Sequence, residues 1–166
     1  DSLHIDWNSI KNKYDLQEST DASESVSRLL YYCAVAAAAK FSPETTTGYV
    51  KPITMALHKN FGYHPSIRYI RKNELSGVEL QQLFYRELEA KRPVLCCGLS
   101  HFFVCDGFAD DYFHINWGWR GAMDGYFKLS VFGAKADKLQ IFDDVIVNIR
   151  PCGLLQETHK TVNLQQ

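Results

Sequence analysis

His101, Asn116 and Trp117 set an imidazole, an amide and an indole within one short stretch, a combination suited to acid/base chemistry. They lie in "HFFVCDGFADDYFHINWGWRGAMDGYF", residues 101–127, where two strand-like runs flank the turn Ala109-Asp110-Asp111. Side chains alternate along a strand, so His101, Phe103 and Cys105 share a face. On the returning run His114 and Asn116 share one face and Trp117 takes the other. In a hairpin the start of one strand lies near the end of its partner, which brings His101 close to Asn116 and Trp117. An imidazole beside an amide oxygen and under an indole has a fixed tautomer and little water around it. Those are the conditions a general base needs. A strand histidine can equally be a purely structural residue, and spacing alone leaves both roles open.

Other chemistries find less support. Five cysteines, Cys33, Cys96, Cys97, Cys105 and Cys152, cannot all pair within the chain. Cys96 and Cys97 sit in an apolar run and read as buried free thiols. No Cys-x-x-Cys and no Cys–His spacing of a zinc site occurs, so neither a structural metal nor a cofactor is expected. Asp110-Asp111 and Asp143-Asp144 are adjacent on strands, where neighbours point to opposite faces, and read as solvated turns. His58 and His64 flank a helix end and read as surface residues. Tyr31, Tyr32 and Phe41 read as core. With a net charge of −1, the chain has no electrostatic reason to bind nucleic acid or an anionic membrane. The longest apolar run, "CAVAAAA", is far short of the roughly 20 residues of a membrane span. The chain starts at Asp1 rather than Met, so the lack of a leader carries no information about export.

Periodicity along the chain gives the helices and strands around His101, Asn116 and Trp117. At 166 residues, 46% hydrophobic and 22% charged, the chain can bury a real core. Val26, Leu29, Leu30 and Cys33 recur at helical spacing and predict a buried helix over 23–38, capped by Asp21 or Ser23. "FSPETTTGY" is a loop. Val50, Ile53, Met55, Ala56 and Leu57 carry a second helix, ended by Gly62 and Pro65. "SIRYIRK" is a short strand. A third helix runs over 76–91 with Val78, Leu80, Leu83, Phe84 and Leu88 on its apolar face. After Arg92-Pro93 the pattern turns to strands: "PVLCCG", "HFFVCDGF", "DYFHINWG", "GYFKLS" and "DDVIVNIR". Helices followed by an antiparallel β-meander make an α+β chain, with 1–151 as one domain portion and 152–166 as a frayed polar tail.

The stretch "SHFFVCDGF…YFHINWGWRGAMDGYFKL" resembles the streptopain family of papain-like cysteine peptidases. That family shows Gly-His-Ala-Phe-Val-x-Asp-Gly, then Asn-Trp-Gly-Trp-Gly-Gly, then Asp-Gly-Tyr/Phe-Phe-x-Leu. "IDWNSI", "SRLLYYCAVAAA", "ALHKNFGYHPSIRYI" and "ELEAKRPVLCCG" extend the similarity over about residues 5–151. The resemblance implies a papain-like fold ending in a half-barrel, and hydrolysis of peptide bonds through a thiol acyl-enzyme. It implies His101 as the catalytic base, oriented or shielded by Asn116 and Trp117, with Trp119 lining the cleft. It further implies a protein or peptide substrate, a propeptide or protein inhibitor as partner, and a secreted, periplasmic or surface location in a bacterium.

The departures from the family pattern are specific. The family's nucleophilic cysteine lies in a Gly-Cys-Val-Ala-like helix start upstream of the segment "IDWNSI" matches. An upstream segment or a separate processed chain is therefore expected to supply it. Cys33 imitates that helix start but sits past the first turn, where the helix dipole no longer lowers a thiol pKa. Cys97 is brought toward His101 by a short hairpin but lacks dipole activation. Cys105, four strand residues from His101, is about 13 Å away and packs instead. Ser100 and Phe102 replace the family's Gly and Ala around the histidine, and the family's glycine-rich loop is lost near "AKADKLQIF". Arg120 replaces a glycine, where its cation either selects acidic substrate residues or blocks the cleft. The alternatives are a catalytically inactive streptopain-like binding or inhibitory module, and an unrelated α+β domain with a chance Asn-Trp-Gly-Trp.

Overall fold

The computed structural model describes residues 2–11, 14, 21–98, 100–128, 144–153 and 161–163. The chain divides into two compact units, Asp1–Pro65 with Pro151–Gln166, and Ser66–Arg150.

The second unit carries the histidine. Its helix α3, Gly77–Glu89, starts at a capping box: the Ser76 side chain accepts from the Glu79 N–H, and Glu79 accepts from the Ser76 N–H at 2.8 Å. Leu80, Leu83, Phe84 and Leu88 point inward at helical spacing. Val78, expected on the same face, is 66% exposed, because the capped first turn lies at the margin of the packed stripe.

Six strands form one antiparallel sheet: β4 (Arg68–Arg71), β5 (Val94–Gly98), β6 (His101–Ala109), β7 (Tyr112–Asn116), β8 (Gly125–Lys128) and β9 (Asp144–Val147). Among the described residues the spatial order is β4-β9-β5-β6-β7-β8, an open sheet with β4 and β8 at its edges. The expected meander covers β5 to β8. The last strand instead returns to the far side of β5 and fills the place between it and β4. Its sequence Asp-Val-Ile-Val is buried from Val145 to Val147, as a central strand demands. "AKADKLQIF" lies outside the described residues.

One face of this sheet is the core. Ile70, Val94, Cys96, Phe103, Cys105, Phe113, Ile115, Val145 and Val147 meet the apolar face of α3, with Phe84 edge-on to Phe113 at 5.7 Å. A bulge at Asp106 sets two residues of β6 against one of β7 between the pairs Cys105–Ile115 and Gly107–His114. An ion pair between half-buried Arg92 and buried Glu87 closes the end of α3. Arg92 grips Glu87 with Nε on Oε2 at 2.8 Å and Nη2 on Oε1 at 3.0 Å, and the Asn148 N–H donates to Glu87 Oε2 at 2.8 Å.

The first unit is built from α1 (Asp21–Ala36), α2 (Val50–Lys59) and short strand pairs. In it, β2 (Lys40–Phe41) pairs with β3 (Thr46–Thr47) inside the stretch expected as loop. The tail is not wholly frayed: β10 (Thr161–Asn163) pairs with β1 (Ser2–His4). Ile5 is the buried centre of a small cluster with Ile10, Leu29, Tyr32 and Phe61. Tyr31 and Phe41, expected in the core, stack on each other at 6.3 Å but are 58% and 57% exposed. Tyr31 precedes Tyr32 by one residue on α1, and a rotation of about 100° per residue takes it off the face that packs on Ile5.

Candidate active site

His101 is the first residue of β6 and pairs with Gly98 across the β5–β6 hairpin. Alternation puts it on the core face with Phe103 and Cys105, at the rim where the sheet ends. There it meets the loop between β7 and β8. His101 Nε2 lies 2.7 Å from the main-chain oxygen of Trp117. A carbonyl only accepts, so Nε2 carries the proton and donates it. In the neutral ring Nδ1 is then the basic nitrogen, and it makes no hydrogen bond within the described residues. Trp119 stacks on the imidazole at 4.9 Å and 30°, and on Trp117 at 5.6 Å and 15°. Trp117 is wedged against Phe103 at 4.6 Å and Phe127 at 6.1 Å. Its buried indole Nε1 has no hydrogen-bond partner among the described residues.

His101, Trp117 and Trp119 thus come together, but the oxygen that holds the ring is a backbone one. Asn116 pairs with Val104, which puts its side chain on the face opposite His101. Its Oδ1 accepts from the Gly118 N–H at 2.8 Å, so the expected contact with the imidazole is not formed. Arg120 is exposed in the same loop, with φ 57, and Ser100 before the histidine has φ 60. Both positions that depart from the family's glycines keep a left-handed backbone that glycine adopts more easily. Asp124 was visible in the sequence only as part of a motif. Its Oδ1 accepts from the Trp117 N–H at 2.8 Å.

Cys33, Cys96 and Cys105 are not activated. Cys33 lies in the last turn of α1, the wrong end of the dipole, and burial pushes its pKa up. Burial, and then the neighbouring Cys105 and Cys97, hold Cys96 well above the ordinary thiol value. Burial likewise pushes Cys105 up to about 12. Cys97 pairs with Phe102, so it lies one residue out of phase with His101 and its side chain leaves the opposite face of the sheet. That excludes a Cys97–His101 dyad on this sheet, a consequence of register that hairpin proximity alone does not reveal. None of the five cysteines, all among the described residues, is in a disulfide. No described helix is long and apolar enough to cross a membrane.

The fold is shared with solved structures. The chain superposes on Prevotella intermedia prointerpain A with a TM-score of 0.77 at 23% identity, covering 90% of this chain and 49% of that one. It superposes on the active interpain A cysteine protease of the same organism with a TM-score of 0.70 at 22% identity, covering 87% and 63%. The fold is therefore that of papain-like cysteine peptidases, α+β with an open antiparallel sheet.

Residues 1–127 match the Peptidase C10 family, and the chain belongs to it. It is 28% identical to the streptopain of Streptococcus pyogenes over 158 residues, 87% of this chain and 39% of that protein. It is 35% identical over 111 residues to the thiol protease/hemagglutinin PrtT of Porphyromonas gingivalis, 60% of this chain and 13% of that protein. The chain thus spans about two fifths of the length of the streptopains it matches.

Proposed function

We propose that this chain forms the base-carrying part of a bacterial cysteine peptidase, with the nucleophilic cysteine supplied by an upstream segment or a separate chain. The observation that carries this reading is the His101 tautomer. With Nε2–H spent on the Trp117 carbonyl, Nδ1 is left as the proton acceptor in a family of thiol peptidases. In the reaction, Nδ1 takes the thiol proton and the thiolate attacks the peptide carbonyl. The imidazolium then protonates the leaving amine, leaving a thioester that water hydrolyses. Trp119 limits water at the ring and lines the cleft. Trp117 holds the tautomer, and Asn116 contributes through the turn it caps. Arg120 stands at the rim as a selector of acidic side chains. A protein or peptide substrate, a propeptide or inhibitor as further partner, and export from a bacterial cell complete the reading. They are supported by the bacterial thiol-protease relatives.

The raised thiols favour a second reading, a catalytically inactive binding or inhibitory relative. Alkylation followed by peptide mapping decides where the nucleophile is. The folded chain is treated with an iodoacetamide reagent from about pH 5 to 9, beside a His101→Ala variant. Slow labelling of every cysteine is expected. Fast labelling of one at low pH, lost in the variant, would place a complete dyad in this chain and sink the split-site assignment. Extending the chain upstream in its own gene should then yield peptide hydrolysis that His101→Ala lowers at least about 100-fold. No hydrolysis from any extended form would favour the inactive relative.

A further inference from the structure

The geometry points to Asp124 as the residue that positions His101, acting through the main chain of Trp117. The inference rests on the reading of His101 as the base. The loop from Trp117 to Asp124 is costly to hold. Gly118, Arg120, Gly121 and Met123 all have left-handed backbones, with φ 73, 57, 83 and 65, and two of them carry side chains that disfavour it. Main-chain bonds inside the loop are sparse: Ala122 N–H to Trp119 O at 3.0 Å and Asp124 N–H to Gly121 O at 3.4 Å.

Two side-chain acceptors add to these. Asn116 Oδ1 reaches only two residues ahead, to Gly118. Asp124 reaches back seven residues and ties the Trp117 N–H to the start of β8. The Trp117 N–H is thus fixed by Asp124 at 2.8 Å, and its carbonyl receives His101 Nε2–H at 2.7 Å. Fixing both ends of one residue fixes where its carbonyl points. The carbonyl in turn decides which imidazole nitrogen carries the proton and which is left for chemistry. Asp124 touches neither imidazole nor substrate in this arrangement, so it is a positioning residue.

Imidazole nitrogen NMR tests this without substrate or nucleophile, so its result is separate from that of the alkylation experiment. At a pH where the rings are neutral, His101 should be a single Nε2–H tautomer. His114 supplies the opposite reference, because its Nδ1 lies 2.6 Å from the Asp106 carboxylate and carries the proton there. In Asp124→Ala, the His101 signals should move to a mixture of tautomers while those of His114 stay. Asp124→Asn keeps an acceptor oxygen and should keep the single tautomer. An unchanged single Nε2–H tautomer in folded Asp124→Ala overturns the inference. If that variant does not fold, Asp124→Asn decides alone: a single tautomer supports the role of the acceptor, and a mixture overturns it.

Discussion

The two faces of the sheet at β6 and β7 each carry a histidine, and the two are held in opposite ways. On the core face, His101 gives its Nε2–H to a main-chain carbonyl under a tryptophan. On the other face, His114 gives its Nδ1–H to the exposed carboxylate of Asp106, beside Tyr126. The side chains are chemically identical, so strand parity and surroundings make the difference. At the rim of the core face the imidazole is oriented by the carbonyl of Trp117, whose ring packs on Phe103 and Phe127. On the outer face the partner is a solvated side chain, worth little to stability. A rim of a rigid core is where a base can be preorganised, because the packing that builds the core also builds the site.

Substitutions at five positions test this contrast, in falling order of effect. Phe113→Ala removes a fully buried ring between α3 and the sheet, and should cost about 4 kcal/mol in urea unfolding. A loss under about 1 kcal/mol would mean the core face is not the rigid one.

Glu87→Ala leaves Arg92 and the Asn148 N–H without their acceptor, and should cost about 3 kcal/mol. The same group sets an acid limb. Burial pushes the Glu87 pKa up. The hydrogen bonds from Arg92 and Asn148, with the charges of Arg92 and Arg86, outweigh that and hold it below the ordinary value. A depressed folded pKa means stabilisation that is complete above the unfolded value, about 4.3, and is lost as pH falls through the folded one. Melting temperature against pH should fall on the acid side of about 4.3 in the native chain, and Glu87→Gln should flatten that fall.

Ser100→Gly and Arg120→Gly relieve left-handed strain at the two loops flanking His101. Each should stabilise by about 0.5 kcal/mol, the strain relieved less the extra chain entropy of glycine. Calorimetry showing destabilisation by either would mean the side chain makes contacts that outweigh its backbone cost. Smallest of all, His114→Ala should change stability by no more than about 0.5 kcal/mol, since it breaks a solvated pair. A cost near that of Phe113→Ala would erase the distinction between the faces.

Much of this was legible along the chain. The α3 face and the four-strand run from Val94 to Lys128 follow from local periodicity and turn chemistry. Such signals act over a few residues and are written directly in the order of side chains. The return of β9 between β4 and β5 was not legible, because a strand's neighbour is chosen by long-range packing and not by its own pattern. Nor was the exposure of Val78, Tyr31 and Phe41, since an apolar residue is buried only if another element arrives to cover it.

At the site, residue order supplied the cast: one histidine at a strand start, Asn116 at the end of the next strand, Trp117, Trp119 and Arg120 just after it, and Asp124 in the motif that follows. Tertiary structure decided their parts. Register sent Asn116 and Cys97 to the face opposite His101, and loop geometry set the Trp117 carbonyl on His101 Nε2 and the Asp124 carboxylate on the Trp117 N–H. Residue identity sets which atoms can donate or accept. Which of them meet depends on parity across strands and on backbone carbonyls that every residue carries, and neither is written in any one side chain.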